Sequence, residues 1–176
     1  MYKDVREKPE WLKTESVEDI YSVSGCVSED FDDWINEWKH NGYWLFDSPD
    51  TMESIAKEKG IDLTKMKLFF YKVSEQQWDE DKQAWEDHEP EESFRTKVQP
   101  PRESKLEGFD IVSLYSNTSC ECSPLSCNHL SETIKTNRHC LFDTYEEAIK
   151  LINSGELKDC EPGPYRIFEV YSVIRA

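Results

Sequence analysis

The chain has 176 residues and sets 37 acidic side chains against 21 lysines and arginines, a formal charge of −16. That length can bury a real core without staples, and an aromatic content of 12% is unlike a disordered sequence. No segment carries a basic stripe, so the charge argues against direct nucleic-acid binding and against anionic membrane surfaces. A basic protein partner is what such a charge would steer inward.

The opening MYKDVREKPEWLK has no apolar core and no small-residue cleavage site, so no secretory signal is expected. No run approaches the roughly 18 apolar residues of a membrane span. A cytoplasmic location is therefore expected, where thiols stay reduced. The six cysteines are then core residues, metal ligands or reactive groups, not a disulfide framework.

Along residues 1–76, the β-branched and aromatic stretch Asp19–Ser24 reads as a strand. Ser28 can cap a helix running to about His40. It would place Phe31, Trp34, Ile35 and Trp38 on one face and Asp32, Asp33, Asn36 and Glu37 on the other. The phrase NGYWLFDSPDTM, residues 41–52, follows. Ser48 is a natural N-cap and Pro49 suits the first helical turn. Met52, Ile55 and Ala56 mark one buried stripe, Gly60 ends the helix, and residues 67–73 form a strand. Residues 77–108 read as a charged helix, with Trp78 and Trp85 seven apart on one side, followed by a connector containing Pro90, Pro100 and Pro101.

Residues 109–176 repeat the first grammar. A strand begins at Asp110. Then NRHCLFDTYEEA, residues 137–148, aligns Asn137 with Asn41, Leu141-Phe142-Asp143 with Leu45-Phe46-Asp47, and Thr144 with Ser48. Glu147 completes a capping box. Ala148, Leu151 and Ile152 match the earlier stripe, Gly155 matches Gly60, and residues 165–173 form a last strand. The expectation is an α+β fold with α/β-like character: two tandem β-β-α-β units packed as one body, joined by the charged helix and connector. The copies diverge most where the second reads CECSPLSCNHLSETIKT.

Chemistry could reside in that divergent stretch. Cys120, Cys122, Cys127 and His129 supply thiols and an imidazole, a ligand set that suits zinc. Their spacing matches no standard knuckle, and no cofactor is favoured. Cys127 or Cys140 could act as a nucleophile only beside a base such as His129, His139 or His40, and the alignment of His139-Cys140 with Tyr43-Trp44 suggests packing instead. There is no phosphate loop, dinucleotide fingerprint or H-E-x-x-H motif.

Asp32, Asp33, Trp34, Glu37 and Trp38 form a candidate aromatic–acidic surface for a basic partner. The leading expectation is a non-enzymatic, inhibitor-like binding protein. The alternatives are a zinc-binding or Cys/His-dependent enzyme centred on residues 120–140 and a small-ligand binder at the seam between the units.

Overall fold

The structure, a computed structural model, describes residues 2–4, 10–23, 46, 48–88, 101–113 and 122–174. It is an α+β fold. The strands are β1 (Tyr2–Asp4), β2 (Met66–Asp79), β3 (Ala84–Asp87), β4 (Ser104–Ser113) and β5 (Tyr165–Val173). The helices are α1 (Pro49–Lys59) and α2 (Tyr145–Ser154). All the strands join one antiparallel sheet in the order β1-β2-β5-β4, with β3 paired to the far end of β2.

Both helices start and stop where their sequences direct. Ser48 Oγ accepts from Thr51 N at 3.3 Å, and proline occupies the first turn of α1. Thr144 Oγ1 accepts from Glu147 N at 3.2 Å while the Glu147 carboxylate accepts from Thr144 N at 3.1 Å, a complete capping box. Gly60 and Gly155 end the helices with φ of 73° and 76°, a conformation that a side chain disfavours. Met52, Ile55 and Ala56 are buried with Phe46 and Leu68, and Ala148, Leu151 and Ile152 are buried with Ile111, Tyr165 and Ile167. Each large aliphatic chain fully buried this way contributes about 1.5–3 kcal/mol.

Strand alternation divides the sheet. Tyr165 and Ile167 serve the face on which α2 packs, while Phe168 and Val170 serve the other. That second face is covered by Tyr21, Val23 and Leu141, packed on Phe69, Tyr71 and Val112.

Two sequence expectations need correction. Residues 19–23 do not form a sheet strand. They run as an extended strap, with Glu18 N and Asp19 N donating to Arg138 O and Tyr21 N to His139 O. The charged segment from residue 77 is not a helix. β2 continues through the 76/77 boundary and turns back as β3, placing Trp78 directly opposite Trp85. The two indoles meet edge to face at 5.6 Å between centroids. Seven residues are two helical turns, but here they are also one cross-strand pair, and packing on the core selects the hairpin. The connector's Pro90 and Pro100 and the helix expected from Ser28 to His40 lie outside the described residues.

Candidate functional site

The strap, the turn at 137–141 and β4 meet around two polar groupings. One is buried. Asp110, on β4, is fully enclosed; Ser123 Oγ donates to its Oδ1 at 2.6 Å and Ser22 Oγ to its Oδ2. A carboxylate in this setting is stable only when hydroxyl or amide donors replace water. Asp110 thus ties both the strap and the start of the cysteine loop to the sheet. Tyr71 lies close by, its hydroxyl donating to Tyr21 O at 3.0 Å. Burial first, and then the Asp110 charge, raises its pKa well above the ordinary phenol value.

The other grouping is half-buried and centres on His139. Nδ1 is hydrogen-bonded to Asp19, and Nε2 faces Glu107 Oε2 at 3.9 Å. The ring stacks on Tyr21 at 3.9 Å between centroids, with 9° between planes. The side chains of His139, Asp19 and Glu107 are only 13%, 16% and 8% exposed. Glu107 also accepts from Lys105 at 2.6 Å and Ser172 at 2.5 Å. Burial works against its ionisation, but those two bonds together with the nearby Lys105 and His139 charges hold its carboxyl below the usual range. Lys67 Nζ donates to Tyr21 OH at 2.7 Å. The group links the strap, through Asp19 and His139, to Glu107 on β4. A carboxylate on Nδ1 also fixes how the imidazole is oriented.

Asn137 builds the turn that presents His139. Its Oδ1 accepts from His139 N at 2.9 Å and Leu141 N at 3.2 Å, and its Nδ2 donates to Glu107 O at 2.9 Å. Within this turn Cys140 adopts φ +59°, an uncommon conformation for a side-chain-bearing residue. Gly108 lets the turn approach β4. With φ +149°, a Cβ there would lie 2.5 Å from Phe142 O.

Cys140 is buried, and burial, with the Asp110 charge adding to it, pushes its thiol up to about 12. A thiol held protonated at neutral pH is a poor nucleophile. His139 is turned to Asp19 and Glu107 rather than to this sulfur.

The candidate metal ligands lie along a compact turn-rich loop. Cys122 is buried and Cys127 half-buried. His129 is exposed and lies tilted against Trp11, 5.0 Å between ring centroids and 45° between planes, with Nδ1 3.5 Å from Glu132. Among the described residues no group of three or more His, Cys, Asp or Glu side chains is placed to hold a metal. Cys120 lies outside the described residues, as do Asp32, Asp33, Trp34, Glu37 and Trp38.

Sequence reasoning passed over a different aromatic–acidic surface, the β2–β3 hairpin. Trp78 and Trp85 are half-buried there, and Trp85 Nε1 donates to Asn153 Oδ1 at 3.2 Å. Lys82 lies between Asp79 at 3.1 Å and Glu86 at 2.8 Å. Glu80 accepts from Gly163 N at 2.6 Å, tying the hairpin to the Pro162-Gly163-Pro164 corner. Asp81 and Asp87 are exposed. On the helix-bearing face, β2 and β5 also place Phe70 against Tyr171 at 6.0 Å, beside the Lys72–Glu169 ion pair.

No family model, curated protein or solved structure matches the chain. No helix among the described residues is long and apolar enough to cross a membrane.

Proposed function

We propose that the protein is a non-enzymatic, inhibitor-like binding protein that works in the cytoplasm and covers a basic surface of a protein partner. One observation carries this reading. The acids outnumber the bases by enough to give −16, and among the described residues only Asp110 is fully enclosed, with Glu107 and Asp19 largely covered. Most acids of the described residues are open to solvent, where such charge steers a cationic partner and is screened by salt. Retention of basic proteins on the immobilised chain tests it. A basic partner should be held at low salt and released at moderate salt. Retention of no basic protein, or retention indifferent to salt, would overturn the reading.

A second reading, a small-ligand site at the seam between β2 and β5, draws on the half-buried Phe70–Tyr171 pair. Aromatic rings beside a few placed polar groups suit small organic ligands. A fragment screen that shifts the Tyr171 ring resonances would support it, and a screen that leaves them unmoved would remove it.

The architecture behind both readings is a duplicated β-β-α-β unit, with residues 1–76 and 109–176 as the copies and 77–108 between them. The shared cap, stripe, left-handed glycine and following strand support this, as does the placement of β2 and β5 side by side with one outer strand beyond each. The 77–108 segment then begins with the hairpin, not a helix.

A further inference from the structure

We propose that the β2–β3 hairpin is the docking surface for an arginine- or lysine-rich segment of the partner, an inference that rests on reading the protein as a binder of basic surfaces. Its chemistry is more than a run of acids. The hairpin carries a paired Trp78 and Trp85, both half-buried, with Asp87 two residues from Trp85 on the same strand face and Asp81 at the adjoining turn. A guanidinium can stack on an indole while its N–H groups reach neighbouring carboxylates, a combination that a lone carboxylate cluster does not offer.

The charges are also distributed unequally. The one lysine between Gln76 and Asp87, Lys82, is engaged by Asp79 and Glu86, and Glu80 is engaged by the Gly163 amide. Asp81 and Asp87 remain exposed at the turn and on the outer strand, Asp87 accepting from Gln76 Nε2 at 3.2 Å across the pair. The surface is pre-organised as well. The Glu80–Gly163 bond, the Trp85–Asn153 bond and the Trp78–Tyr165 strand pairing fix the hairpin on the body. Docking there would cost little ordering entropy. Charge complementarity selects the occupant, since a neutral or acidic segment would gain nothing from the carboxylates.

The test compares two variants of the full chain that change charge equally. Asp81→Asn/Asp87→Asn alters the hairpin, and Glu53→Gln/Glu58→Gln alters exposed positions on α1, which packs near Leu68 at the opposite end of β2. The probe is a fluorescein-labelled alternating Arg-Gly peptide, followed by anisotropy at low salt, with melting curves to confirm that both variants fold. The hairpin pair should weaken binding by about tenfold and the α1 pair by less than about twofold. Equal weakening by both pairs would overturn the hairpin assignment and leave the binding function standing. Failure of the unaltered chain to bind the peptide would bring down the binding function itself, and the hairpin assignment with it.

Discussion

The two helix-bearing halves obey the same local rules but rest on different supports. Around α1, the sheet beyond β2 ends in β1, only three residues long. Around α2, the sheet beyond β5 is the ten-residue β4, its outer edge bridged at Phe109–Phe142 and Ser113–Cys122. The first half also sends its strap, residues 18–23, across to the second half's turn rather than into its own sheet. Similar helices therefore do not make independent units. Local grammar sets where each helix begins and ends, and tertiary support decides what each flanking strand becomes.

Substitutions should expose that asymmetry, beginning where the second half is tightest. Gly108→Ala forces a Cβ into the Phe142 carbonyl at a φ that side chains rarely adopt. Denaturant unfolding should show a loss of about 3 kcal/mol or more. A loss near that of an ordinary surface mutation would mean that the turn does not press on β4.

Asn137→Ala should come next. It leaves the His139 and Leu141 amides and the Glu107 carbonyl without their partner, at about 2 kcal/mol. In the same variant the strap amides of Glu18 and Asp19 should exchange faster, because their acceptor, Arg138 O, sits on the disrupted turn. Unchanged exchange there would separate the strap from the turn.

The caps give a closer comparison. Thr144→Ala removes the hydroxyl that accepts from Glu147 N at 3.2 Å and donates to the Glu147 carboxylate at 3.3 Å, whereas Ser48→Ala removes a longer 3.3 Å bond from Thr51 N beside a helix-favouring proline. Each should cost about 1 kcal/mol, with Thr144 the larger. A reversed order in thermal melts would mean that the second half's cap is not the stronger one.

The smallest effect expected is pH-dependent. Glu107 has a lower pKa in the folded state than its ordinary 4.5. Its contribution is therefore present above that value and lost as pH falls through the folded pKa. The stability difference between the wild type and Glu107→Gln should shrink as pH drops from about 5 toward 3. A difference constant over that window would show that the Lys105 and Ser172 bonds do not hold the carboxylate ionised.

The sequence disclosed whatever depends on neighbours along the chain. Ser48, Thr144 and Glu147 act as caps, Gly60 and Gly155 as stops, and residues 67–73 and 165–173 as strands. It concealed what depends on distant partners. Asp19–Val23 has strand composition, but its hydrogen bonds go to a turn at residues 138–139. The hairpin at Asp79–Ala84 has no Asn-Gly or glycine signal, and Gln83 takes the positive φ of 51° itself.

The candidate sites divided in the same way. The cysteines could be seen as a group, whereas the assembly of His139 with Asp19, Glu107 and Tyr21 spans three separated segments with no shared motif. The pairing of His139-Cys140 with bulky residues elsewhere hinted at packing, and Cys140 is indeed buried. It said nothing of the imidazole's two carboxylates.

The most direct measurement is a nitrogen–proton NMR titration of the full chain with the Arg-Gly peptide, read at the indole N–H groups of Trp78 and Trp85 and at amides 79–87. If a basic segment docks on the hairpin, those resonances shift together and return when salt is added, while the amides of α1 stay in place. Shifts centred on α1 with the indoles still would contradict the account.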